Sequence, residues 1–162
     1  MSCGKATKFR CFPQCRAAEF LVQSLSLPAQ SLVVRRELVI TSDPINEAAL
    51  VAARSMSSGM GAAAYFAGVV RATEEGRDIR AIDYEAFERM VRRQFELIFD
   101  QVEKRWPIES IRLVHRIGVV KVNEPSLWVE VIGPHRGEAF AACQFLIDEM
   151  KRTVPIWKKP VT

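Results

Sequence analysis

Residues 86–132, AFERMVRRQFELIFDQVEKR-WPIES-IRLVHRIGVVKVNEPSLWVEVI, contain a change of period that decides the fold. Over Ala86–Arg105, Phe87, Met90, Val91, Phe95, Ile98, Phe99 and Val102 recur at three and four, the stripe of an amphipathic helix. Arg89, Arg92, Arg93 and Glu96 fall between them as a solvated face. Trp106-Pro107 ends the helix, because proline has no N–H with which to continue it. The period then drops to two. Ser110–Arg116 and Gly118–Val122 read as strands and Asn123-Glu124-Pro125 as a turn. Ser126–Ile132 reads as a strand alternating Leu127, Val129 and Val131 against Trp128 and Glu130.

Downstream, Gly137–Arg152 forms a last helix with Phe140, Cys143, Ile147 and Met150 on one face, which makes Cys143 an inert core thiol. Pro155 ends it, and Ile156-Trp157-Lys158-Lys159 is a short terminal segment. Upstream, Gly61–Arg71 (GAAAYFAGVVR) is small and apolar and reads as a strand buried on both faces. Ala72–Arg77 is a charged loop around Gly76, and Asp78–Tyr84 a further strand. Glu37–Thr41 is the first strand. Ser42-Asp43-Pro44 supplies a capping side chain and a first-turn proline for a helix through Ala48–Arg54, which Ser57-Ser58-Gly59 breaks. The order β-α-β-β-α-β-β-β-α is α+β, a mixed or antiparallel sheet carrying packed helices.

The net charge of +4 is unevenly placed. Residues 1–36 hold Lys5, Lys8, Arg10, Arg16, Arg35 and Arg36 against Glu19 alone, leaving the remainder 17 bases and 18 acids. The basic balance therefore belongs to the leader, and a nucleic-acid footprint on the domain is not expected. Residues 1–36 read as a disordered extension and 37–162 as one domain. The leader has no clean apolar run or cleavage site, and no segment approaches the roughly 20 apolar residues that span a bilayer. Cys3, Cys11, Cys15 and Cys143 match no zinc or redox spacing. Unpaired cysteines suit a reducing compartment, so the expected location is the cytoplasm. With two histidines and no ligand spacing, neither metal nor cofactor is expected.

Chemistry concentrates in cations. Arg71 ends a strand, His135-Arg136 opens the last helix, Lys151 sits in that helix's last turn, and Lys158-Lys159 follows Trp157. Arginine clamps an anion bidentately, and lysine offers a point charge. Each has a plainer reading: Arg71 as a solvated strand end, Lys151 as a cation favoured at a helix C-terminus, Lys158-Lys159 as a polar tail. Two potential cations at a helix N-terminus oppose the dipole, so His135-Arg136 equally suits collecting an anion there. His115 is a packed or edge histidine rather than a ligand. Residue types alone lead to an anion-binding α+β domain.

Several stretches, in order and spacing, resemble the MoaE family, the large subunits of molybdopterin synthase. They are Gly61–Arg71 ending Gly68-Val69-Val70-Arg71, then Gly76-Arg77, Leu113–Gly118 (LVHRIG), Pro134–Phe140 (PHRGEAF) and Lys151–Lys159 (KRTVPIWKK). The resemblance implies an α/β-hammerhead-type fold and a homodimer within a heterotetramer. It implies a small ubiquitin-like sulfur-carrier subunit (MoaD type) whose C-terminal thiocarboxylate enters the site. The implied substrate is cyclic pyranopterin monophosphate, converted to molybdopterin by two sulfur transfers. By position, Lys151 and Lys158 would be catalytic, and Val69, Val70, Arg71, His135, Arg136 and Lys159 would bind substrate. Lys151 would either stabilise an oxyanion or, desolvated among cations, move protons.

Two features depart from the family. Pro160 stands where an acid is usual, and the family's further tail does not follow Thr162. They motivate an alternative, a non-catalytic MoaE-like relative that binds the small subunit. A generic anion or nucleic-acid binder and a sulfurtransferase acting through Cys143 are more distant readings.

Overall fold

The computed structural model describes residues 33–162. Nine strands and three helices lie in these residues. They are β1 (Arg35–Thr41), α1 (Glu47–Ala52), β2 (Ala62–Val69), β3 (Thr73–Glu74), β4 (Arg77–Asp78) and β5 (Ala81–Ala86). Then come α2 (Glu88–Arg105), β6 (Ser110–Arg116), β7 (Gly118–Lys121), β8 (Pro125–Gly133), α3 (Arg136–Thr153) and β9 (Ile156–Val161). The class is α+β, as the period pattern requires.

One sheet has the order β1-β6-β8-β2, a second β7-β5-β9, and β3-β4 is a separate hairpin. β1 runs parallel to β6, while β6–β8 and β8–β2 are antiparallel, so the larger sheet is mixed. Its first strand starts at Arg35, two residues before Glu37. The extension assigned to residues 1–36 lies, as far as residue 32, outside the described residues.

The main core forms where α2 and α3 cover one face of the larger sheet. Val91, Phe95, Ile98, Phe99 and Val102 of α2 meet Leu113, Val129 and Val131 of the strands and Ala142 and Leu146 of α3. Each such large apolar side chain contributes about 1.5–3 kcal/mol by leaving water. A smaller cluster of Val70, Ile79, Ile82 and Val120 lies by the second sheet.

Several local expectations change. The N-cap of α1 is Asn46, whose Oδ1 accepts from the Ala49 N–H at 3.0 Å; the Ser42–Pro44 stretch precedes the helix. β2 is not buried on both faces. It is the sheet's edge, with Ala64 buried but Tyr65, Phe66 and Val69 exposed. Phe87 and Met90 of the first stripe, and Phe140 of the last helix, are also exposed. The period identifies a helix's apolar side but not how much of it one chain covers. β8 does alternate, yet Trp128 and Glu130 on its second face are as buried as the core face. The charged loop is a tight hairpin, because Glu75 (φ 51°) and Gly76 (φ 76°) both take left-handed backbone.

Gly61 is required where β2 leaves the loop. Its N–H donates to the Pro134 carbonyl at 3.1 Å, and a Cβ there would stand 2.7 Å from the same oxygen.

Candidate active site

The two sheets and the C-terminal end of α3 enclose a cleft of about 690 Å³. Its floor comes from register. Gly68 of β2 stands opposite Leu127 of β8, which stands opposite His115 of β6. The wall from α3 and its exit carries Met150, Lys151 and Val154; Tyr84 of β5 and Ile156 and Lys158 of β9 face them. Val69 and Arg71 complete the rim.

Four of the residues selected from sequence thus meet in one place: Val69, Arg71, Lys151 and Lys158. Lys151 is exposed in the last turn of α3, and among the described residues no carboxylate lies within ion-pairing distance of it. Val70 is buried behind the rim. Its N–H donates to the Glu124 carbonyl, and its own carbonyl accepts from Asn123 N–H, which fixes the direction in which Arg71 leaves the strand. Lys159 points to the other face of β9 and donates to Glu85 Oε1 at 2.5 Å, a contact that raises its pKa. His135 and Arg136 are exposed at the opposite end of α3 from Lys151. Fifteen residues at 1.5 Å each separate Arg136 from Lys151, about 22 Å along one helix.

Sequence reasoning did not find Glu74, the cleft's own anion. The hairpin turns this buried carboxylate inward, where it accepts from the Lys158 ammonium and lies 3.5 Å from Arg71 Nη2. The Lys158 hydrogen bond, with Arg71's charge behind it, holds Glu74 below the usual carboxylate range. The only sequence signal was the Glu-Gly pair that makes the turn.

Because the folded pKa is depressed, this carboxylate stabilises the fold fully above its unfolded value of about 4.3. That contribution is lost as pH falls through the lower folded value. Glu74→Gln is expected to release Lys158 and tighten sulfate binding by about two- to fivefold, the range of a partly exposed ion pair. Calorimetric titration at fixed ionic strength measures this, and an unchanged affinity would mean that the pair does not compete with the anion.

His115 lines the cleft although it is almost fully buried, its ring set edge-on to Tyr84 with centroids 5.5 Å apart. Burial lowers its pKa below the ordinary 6.5. Cys143 lies elsewhere, in a shallow apolar groove with Tyr65, Phe66 and Phe140. Burial pushes its thiol up to about 11. At pH 8 only about one molecule in a thousand would carry a thiolate there. The peptide containing Cys143 should therefore resist iodoacetamide in the native protein and react after denaturation, as peptide mass mapping would show.

The chain matches the MoaE protein family over residues 40–153. The molybdopterin synthase catalytic subunit of Pyrococcus abyssi is 40% identical over 106 residues, 65% of this chain and 72% of that protein. That of a Nostoc species is 35% identical over 138 residues, covering 82% and 84%. The crystal structure of molybdopterin synthase from Staphylococcus aureus aligns with a TM-score of 0.68 at 31% identity, covering 77% of this chain and 89% of that one.

The α+β fold shared with the solved synthase, together with the sequence identity to these catalytic subunits, defines an enzyme of molybdopterin synthesis. The chain belongs to the MoaE family.

Proposed function

We propose that the cleft converts cyclic pyranopterin monophosphate to molybdopterin, receiving both sulfurs from the thiocarboxylated C-terminus of a small ubiquitin-like subunit. The observation that carries this is the composition of the cleft. Arg71, Lys151 and Lys158 line it. Among the described residues the only carboxylate paired with any of them is Glu74, held by Lys158 and Arg71, and no thiol lines the space. Such a site holds an anionic substrate and leaves the sulfur to be brought in. In each transfer the thiocarboxylate sulfur bonds to a substrate carbon and displaces an oxygen there. Water then attacks the acyl carbon, a carbonyl oxyanion develops, and the acyl–sulfur bond breaks to leave sulfur on the substrate and a carboxylate on the small subunit. Lys151, exposed and without a carboxylate partner among the described residues, is the cation for that charge. Lys158 would hold the substrate's anion after exchanging Glu74 for it.

His135 and Arg136 fit the same reaction through a second copy of the chain. One helix keeps them about 22 Å from its own Lys151. A homodimer offers each cleft the partner copy's helix start. The exposed Tyr65, Phe66 and Phe140 beside the free edge of β2 are the apolar surface such a dimer would cover. Two small subunits on this dimer make the heterotetramer. Among the described residues no helix is long and apolar enough to cross a membrane. A cytoplasmic location agrees with the thiol and thiocarboxylate chemistry.

Reconstitution tests the reading. The purified protein is mixed with thiocarboxylated small subunit and cyclic pyranopterin monophosphate, and molybdopterin is measured as its fluorescent oxidised derivative. Product in proportion to the small subunit consumed is expected. Small-subunit binding with no product would favour the non-catalytic relative instead.

A further inference from the structure

We propose that His115 is a substrate-binding residue of the cleft whose Nε2 accepts a hydrogen bond from a ring N–H of the bound pterin. The inference deepens the substrate reading above and rests on it.

Three observations fix the ring. His115 lies in the middle of β6 with 4% of its surface exposed, yet it lines the cleft. Its Nδ1 lies 2.9 Å from the Arg116 carbonyl oxygen. A carbonyl only accepts, so Nδ1 carries the hydrogen. Tyr84 packs edge-on against the ring and limits its rotation. Burial also keeps the imidazole neutral near pH 7. In a neutral ring with hydrogen on Nδ1, Nε2 bears a lone pair.

Among the described residues nothing donates to that lone pair, and Nε2 is not one of the fully buried side-chain atoms left without a partner, so it reaches the open space of the cleft. An acceptor that opens on a narrow cleft is met by water or by a ligand, and a ligand that displaces the water must supply a donor in its place. The cleft's other charged rim groups, Arg71, Lys151 and Lys158, are cations and suit a phosphate. None of them accepts from an N–H. His115 is thus a group on the cleft floor suited to recognise the pterin rather than the anion, and unlike Glu74, which Lys158 and Arg71 engage, its acceptor is unoccupied among the described residues. A site built around an acceptor rejects an analogue that lacks the donor more strongly than an apolar wall would.

The test is calorimetric titration of wild type, His115→Phe and His115→Gln with cyclic pyranopterin monophosphate, and separately with sulfate. The His115→Phe variant should bind the pterin about tenfold more weakly or worse, the usual effect of an unpaired buried donor. The His115→Gln variant, whose amide oxygen accepts, should lose less, and sulfate affinity should be unchanged in both. Wild-type pterin affinity in a folded His115→Phe protein would overturn the role of the histidine. A wild type that binds sulfate but no pterin would instead overturn the substrate reading beneath it.

A spectroscopic measurement on the wild type does not depend on how the variants fold. Long-range proton–nitrogen spectra should show a pyridine-type Nε2 for His115 that moves toward the protonated type when the pterin is added. An Nε2 already protonated in the free protein, or unmoved at saturation, would also overturn the inference.

Discussion

Lys151→Ala is expected to lower the single-turnover rate of molybdopterin formation by about 10²–10³-fold, the effect of deleting one donor to a developing oxyanion. Its fold should persist. Lys151 is exposed in the last turn of α3 and is not among the core side chains. Alanine is a better helix former, and the lost charge–dipole interaction is worth only about 0.3–1 kcal/mol at an exposed helix end. A rate defect with an unchanged melting curve would therefore report on the reaction. The assay uses saturating thiocarboxylated partner, so that weak docking does not mimic slow chemistry. Near-wild-type turnover would remove Lys151 from the mechanism and leave Lys158 as the cation to test.

The largest effect on stability is expected at Glu130→Ala, a loss of about 2–4 kcal/mol, toward the range for breaking a buried pair, because it strips a fully buried carboxylate from two partly buried guanidinium groups. Glu130 is fully buried on the face of β8 opposite α2 and α3. It accepts from Arg54 Nε at 2.7 Å and from Arg112 Nη1 at 3.2 Å. Arg112 also donates to Glu37 and to the Leu50 carbonyl, and its guanidinium lies over the Trp128 ring. Arg54 lies over Tyr65. One carboxylate therefore ties β1, the α1 region, β2 and β6 to the central strand. Glu130→Gln keeps the shape and one acceptor and should lose distinctly less. Urea unfolding of the three proteins measures both differences. A Glu130→Ala loss under about 1 kcal/mol, the ceiling for a surface pair, would show that the network is solvated.

That network illustrates what sequence reading misses. The alternation of β8 is legible, and it sets Trp128 and Glu130 on the face opposite Leu127, Val129 and Val131. Nothing local revealed that Arg54, 76 residues away, would cover that face. The same holds for Glu74. Its place in a charged stretch suggested solvent, but the two-residue turn at Glu75-Gly76 and a lysine 84 residues on make it the cleft's counter-ion. His115 reads from sequence as a packed or edge histidine rather than a ligand. It is packed, but the fold also sets it beside the cleft, which no local signal shows. For Lys151, Lys158, Arg71 and Val69, order along the chain was enough to select them, and the fold brings all four to one rim.

By itself the sequence determined the helices and the longer strands, though not β3, β4 or β9, and with them the α+β class, the family and the set of cations. These depend on spacing over a few residues, which sets helix or strand period, and on motifs that keep their order. Tertiary structure alone decided which cations share a cleft, which carboxylate faces them, and that His135 and Arg136 stand a helix length away from Lys151. It decided also that β2 is an edge with an apolar face left exposed. Each of these depends on groups dozens of residues apart, whose electrostatic and packing energies exist only once the sheets have closed around them.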